Sequence, residues 1–132
     1  MLTVARTRTS RPRILLVDDD ADIARAFKLG LELRGFSVES YTDPIQALDS
    51  VEPGSYDLAL LDIQMPGIDG FELYKLLRTR DEGVGVVFLT AFEMRESEYG
   101  RLAPDPALKG LLKKPLSISQ LVEALESRLE RS

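Results

Sequence analysis

Apolar residues along this chain follow two alternating rhythms. Short runs at residues 14–17, 36–41, 58–61, 84–89 and 108–112 concentrate side chains that want burial. The runs at 14–17, 58–61 and 84–89 are nearly continuous, as expected of strands covered on both faces of a parallel sheet. Between the runs, apolar residues recur at helical spacing. Ile23, Phe27 and Leu31 stand four apart, and Gly35 then offers a stop. Asp43-Pro44 reads as an N-cap followed by proline at the first helical position, opening a helix expected to end at Pro53-Gly54. Asp69 with Glu72 forms a capping-box pattern ahead of Phe71, Leu73, Leu76 and Leu77, and Ser117 with Gln120 repeats it before Leu121, Leu125 and Leu129. Residues 93–102 read as a weaker fourth helix, closed by Pro104 and Pro106.

Strand then helix, five times over, predicts an α/β domain: a doubly wound parallel sheet with right-handed crossovers and helices on both faces. Such sheets place their sites beyond the carboxyl ends of the strands. The residues at those ends are therefore the candidates. The first strand runs into Asp18, Asp19 and Asp20; the third ends in Asp62, the fourth in Thr90, and the fifth in Lys113-Lys114-Pro115. Two like charges about 4 Å apart repel by roughly 1 kcal/mol in water and roughly 4 kcal/mol at an effective dielectric near 20. Acids gathered at a buried strand end thus call for a compensating cation. Carboxylate oxygens suit Mg²⁺, and the Lys and Thr donors suit a phosphoryl group held beside it. Asp20 reads as the N-cap of the first helix, and Asp57 as the start of the third strand with no chemical role.

Composition narrows the chemistry. The 132 residues are 44% hydrophobic and 30% charged, which fits one globular domain. Arg6, Arg8, Arg11 and Arg13 make the start basic, so residues 1–12 are expected to be a flexible basic arm ahead of a domain at 13–130. The formal charge is -5, and the acid lies in the domain, which argues against nucleic acid as a partner. Cysteine and histidine are both absent. That excludes disulfides, thiolate or imidazole metal sites, a His-based triad and a phosphohistidine carried on this chain. No apolar run approaches the roughly 18 residues of a membrane span, and no secretory signal opens the chain, so a cytoplasmic location without a membrane partner is expected.

The segments ILLVDDD, YDLALLDIQMPGIDGFEL, VVFLTAF and LLKKP together resemble the receiver domain of two-component response regulators, and the resemblance extends over residues 13–129. It implies a flavodoxin-like sheet in the order 2-1-3-4-5. It implies that Asp62 accepts a phosphoryl group from the phosphohistidine of a sensor histidine kinase or phosphotransfer protein. Asp18, Asp19, Asp62 and the backbone carbonyl of Gln64 would bind Mg²⁺. Lys114 would pair with the phosphoryl oxygens, Thr90 would bond one of them after transfer, and the Lys114-Pro115 bond would be cis. Catalysis would extend only to the domain's own phosphorylation and dephosphorylation. The output would be a changed protein–protein contact through the fourth helix, fifth strand and fifth helix, with homodimerisation on phosphorylation as one form of it.

Some positions depart from the family pattern. Leu111 stands where an aromatic residue is common, three before the lysine, and Phe92, two past Thr90, is a bulky neighbour of the site. Thr90, Leu111 and Phe92 are therefore the expected readout residues. No effector domain follows within the 132 residues, so two readings stay open: a single-domain regulator acting by binding, or a receiver unit that precedes an output domain in a longer chain. Two other readings compete. A pseudo-receiver would bind partners without accepting phosphate, but such domains usually lack an acid or the lysine. A haloacid-dehalogenase-type phosphohydrolase also opens with a strand and Asp-x-Asp, but needs Thr or Val where Asp22 stands.

Overall fold

In a computed structural model the described residues are 11–91, 100 and 108–130. The strands are β1 (Arg13–Val17), β2 (Ser37–Tyr41), β3 (Leu58–Asp62), β4 (Gly85–Thr90) and β5 (Leu108–Lys113). The helices among these residues are α1 (Ala21–Leu33), α2 (Pro44–Asp49), α3 (Gly70–Arg80) and α4 (Ile118–Glu130). All strand pairs are parallel, in the order β2-β1-β3-β4-β5, as expected. The expected helix at 93–102 lies almost wholly outside the described residues, as does most of the arm at 1–12.

Alternation along the three inner strands builds two cores. Leu15, Val17, Ala59, Leu61, Val86 and Phe88 face Ala47 and Leu48 of α2 and Leu73 and Leu77 of α3. Ile14, Leu16, Leu58, Leu60, Val87 and Leu89 face Phe27 and Leu31 of α1 and Leu121 and Leu125 of α4. Both faces are covered, which is why these strands read as continuous apolar runs rather than as alternating ones. Phe88 anchors the first core, with its ring centroid 4.9 Å from Phe71 and 5.8 Å from Tyr74 in edge-on contacts.

The caps form as the spacing predicts. Asp20 Oδ1 accepts from the Asp22 and Ile23 amides, and Asp43 Oδ1 accepts from Ile45. Asp69 with Glu72 and Ser117 with Gln120 make both reciprocal capping bonds. The second helix is shorter than expected, ending at Asp49 rather than at Pro53-Gly54. The Ser50 hydroxyl donates to the Ala47 carbonyl, and Val51 turns into the core at 4% exposure, drawing the chain off the helix axis. Asp57 lies one residue ahead of β3. Its amide donates to the Arg13 carbonyl and its Oδ2 accepts from the Arg13 amide, so it ties the starts of β1 and β3 together.

β5 carries a bulge. Leu108 pairs with Val86 and Gly110 with Val87, leaving Lys109 as the extra residue. The bulge puts Leu108 and Leu111, three apart, on the same core. Gly110 has φ +149, and a Cβ there would meet the Arg128 guanidinium at 2.6 Å. Arg128 fills that space, donating Nε to the Lys109 carbonyl.

Candidate phosphoryl-acceptor site

The carboxyl ends of β1, β3, β4 and β5 bring four of the predicted residues to one rim. Asp18 follows β1 and is fully buried, and Asp62 ends β3 at 5% exposure. Thr90 ends β4 at 1% exposure, and Lys114 follows β5. The backbone continues the ladder past the strands: the Ile63 amide donates to the Leu89 carbonyl and the Lys114 amide to the Thr90 carbonyl. Adjacent strands therefore fix the segment after Asp62 and Lys114 to the same frame. The Lys114-Pro115 bond is cis, as the resemblance implied.

Carboxylate oxygens of Asp18, Asp19 and Asp62 all lie within 4.8 Å of one another. Asp18 and Asp62 are buried, while Asp19 faces solvent. Asp18 Oδ1 accepts from the Asp20 amide, which orients the carboxyl group. Lys114 Nζ donates to Asp18 Oδ2 at 2.7 Å and stands 3.7 Å from Asp62 Oδ1. Among the described ion pairs of the cluster, one ammonium thus serves two of the three carboxyl groups, Asp18 and Asp62. Burial, reinforced by the Asp18 charge and by a hydrogen bond that the protonated Asp62 carboxyl donates to Asp19, pushes the Asp62 carboxyl up to about 7, although Lys114 opposes the rise. This cluster of hard oxygen donors, short of positive charge, fits a small divalent cation such as Mg²⁺.

Gln64 is exposed two residues past Asp62, where it lines a shallow recess with Ile63, Met65, Pro66 and Asp69. Leu111 is half-buried against the first core, opposite Phe88, 3 residues short of Lys114. Phe92 lies outside the described residues. The Lys114–Asp18 ion pair was not foreseen. The resemblance implied that Lys114 pairs with phosphoryl oxygens; the structure sets its ammonium on the buried carboxylate of Asp18.

Gly70 sets how closely α3 approaches the Asp62 backbone. It opens α3, its amide donates to the Ile63 carbonyl, and a Cβ there would sit 2.5 Å from the Asp62 carbonyl oxygen and 2.8 Å from the Ile63 Cα. Both are backbone atoms, so they cannot swing away. Gly70→Ala is expected to cost about 1–3 kcal/mol, the usual range for overpacking. It should also slow phosphorylation, because the strain falls on the Asp62 backbone. Urea unfolding and a phosphorylation time course check this, and unchanged values for both would show that the loop yields freely.

Sheet order, rim and acidic cluster define a receiver-type signalling domain, and comparison with known proteins agrees. The response regulator receiver domain family matches residues 14–126. The chain is 36% identical over 126 residues to transcriptional regulatory protein PrrA of Mycobacterium tuberculosis, covering 95% of this chain and 53% of that protein. It is 33% identical over 121 residues to response regulator MprA of Mycobacterium sp. (strain KMS), covering 91% and 51%. The chain spans about half the length of the curated relatives it matches. Among solved structures, a CheY-like response regulator receiver domain protein from Methanospirillum hungatei superposes with a TM-score of 0.82 at 29% identity, covering 92% of this chain and 96% of that one. This chain belongs to the response regulator receiver domain family. It is a two-component receiver domain, and neither the pseudo-receiver nor the phosphohydrolase reading is favoured. No helix among the described residues is long and apolar enough to cross a membrane.

Proposed function

We propose that Asp62 is the phosphoryl acceptor, served by a sensor histidine kinase or phosphotransfer protein, and that residues 13–130 form the functional receiver unit behind a basic arm. The observation that carries this is the cluster itself: three carboxylates within 4.8 Å, with one lysine 3.7 Å from the Asp62 oxygen. An ionised Asp62 oxygen forms the new bond to phosphorus while the bond to the donor imidazole breaks. No base on this chain has to remove a proton, so catalysis is positioning and charge neutralisation.

Asp18, Asp19 and Asp62, with the Gln64 carbonyl, would hold Mg²⁺. The bound ion would supply positive charge to three carboxylates and to the phosphoryl oxygens. Lys114 then leaves Asp18 to pair with those oxygens, and the Thr90 hydroxyl bonds one of them from the end of β4. The domain catalyses only its own phosphorylation and dephosphorylation, in the cytoplasm. Its output is a changed contact with a protein partner, or a homodimer, through the fourth helix, fifth strand and fifth helix, with Thr90, Leu111 and Phe92 as the readout residues. With Leu111 in place of an aromatic, the response is a packing change around β5.

Beryllofluoride, a phosphoryl mimic, tests this reading. With Mg²⁺, amide shifts should move at Asp62, Thr90 and Lys114 and across residues 92–112. In Thr90→Ala they should move mainly around Asp62. No shift at Asp62 in the wild type would sink the acceptor assignment, and equal far-face shifts in both proteins would remove Thr90 from the coupling.

Asp19→Asn bears on the metal. Asp19 faces solvent, so relief of repulsion should stabilise the metal-free protein by only about 0.5 kcal/mol, the upper end of the usual range for surface changes. Mg²⁺ affinity should fall at least tenfold. Titration calorimetry and thermal melts in EDTA read the two effects, and wild-type Mg²⁺ affinity in the variant would take Asp19 out of the ligand set.

A further inference from the structure

A cleft of about 410 Å³ opens beside the acceptor, between α1 and the turn leading into α4. Ile23, Ala26 and Phe27 line one wall, and Pro115 and Leu116 the other. Among the described lining residues, Lys114 carries the only polar side chain. The same ammonium stands 2.7 Å from Asp18 and 3.7 Å from Asp62. An apolar cleft of small-molecule size therefore joins an anion-binding centre through one shared side chain. A ligand matching both parts has a phosphate head and an uncharged apolar tail. Sugar phosphates match less well, because the side chains described in the two walls are apolar and desolvating hydroxyls against them is costly.

We propose that this cleft takes the acyl group of small-molecule acyl phosphates, so that the domain prefers donors with an aliphatic chain over acetyl phosphate. The inference rests on Asp62 being the acceptor. In the transfer, one Asp62 carboxylate oxygen forms a bond to phosphorus and the bond from phosphorus to the acyl oxygen breaks. The electron pair leaves with the acyl carboxylate, which is stable as an anion at neutral pH, so no proton has to move. The tail adds binding without touching the reacting atoms. Each methylene fully buried is worth about a fourfold gain. Butyryl phosphate has two more methylenes than acetyl phosphate, and the cleft is open on one side, so a five- to tenfold preference (~5–10) is expected.

The test measures second-order rate constants for phosphorylation of Asp62 by acetyl and butyryl phosphate with Mg²⁺, in the full chain. Ala26 is exposed and lies outside the acceptor machinery, so Ala26→Phe can fill the cleft without disturbing a core. Wild type should prefer butyryl phosphate. Ala26→Phe should keep the acetyl rate constant and lose the preference. If that variant does not fold, Ala26→Glu sets a charge at the same exposed position and should lose the preference too. Equal rate constants for the two donors in the wild type overturn the proposal. So does a preference that survives both substitutions. Phosphorylation by neither donor would instead overturn the assignment of Asp62, and this inference with it.

Discussion

Lys114→Met is expected to cost about 3–5 kcal/mol of stability at pH 8 without divalent ions, the range found when one partner of a buried ion pair is removed. Lys114 is 12% exposed in its side chain and Asp18 is fully buried, so water cannot take over the ammonium's role. Methionine keeps the bulk and removes only the charge, which leaves Asp18 facing Asp62 and Asp19 with nothing to offset them. The loss should shrink at pH 5. There Asp62, already pushed up to about 7 with the lysine present, carries a proton and one repulsion disappears. Mg²⁺ should restore much of the stability at pH 8, because its charge replaces the missing one. Urea unfolding at both pH values, with and without Mg²⁺, gives the four numbers required. Wild-type stability at pH 8 in EDTA would mean that the Lys114–Asp18 contact carries little energy.

Asp62→Asn should act in the opposite direction. In the folded protein Asp62 holds its proton up to about pH 7, against a usual value of 3.8. Folding therefore takes up a proton between those values. The raised carboxyl contributes stability that is complete below about pH 4 and is lost as pH climbs through 7. A shift of that size bounds the effect at roughly 4 kcal/mol, and relaxation around the site brings the expected gain to roughly 1–3 kcal/mol. Asp62→Asn should thus match the wild type near pH 4 and exceed it by that amount at pH 8 without metal. Excess Mg²⁺ should reverse the order, since the wild type gains binding energy that the variant largely forgoes. Stability curves against pH in EDTA and in Mg²⁺ decide it. A difference between Asp62→Asn and wild type in EDTA that does not grow from pH 4 to pH 8 would contradict a strained Asp62.

Most of this architecture is legible because the decisive signals are local. An apolar run ending in Asp62, or a reciprocal cap such as Asp69 with Glu72, is written in contiguous residues, while the strand order was implied only by the resemblance to receiver domains. The rim was legible for the same reason: its members are the residues at which apolar runs stop. What stayed hidden depends on distant partners. The β5 bulge is invisible in LKGLLK, because it exists only where Arg128 of α4 meets the Gly110 backbone. Asp57 looked idle since its partner, the Arg13 amide, lies 44 residues away. The early end of α2 follows from Val51 finding a core built by other strands. Within the site, Lys114 and Asp18 are 96 residues apart, and their pairing depends on how β5 and β1 are spaced across β3 and β4.

Phosphopeptide mapping after incubation with acetyl phosphate and Mg²⁺ tests the central claim most directly. The wild type should gain the mass of one phosphoryl group, on the peptide that contains Asp62, and only when Mg²⁺ is present. Asp62→Asn, folded and otherwise intact, should gain none. Equal uptake by Asp62→Asn, or a phosphoryl group mapped to any other residue of the wild type, would contradict the account.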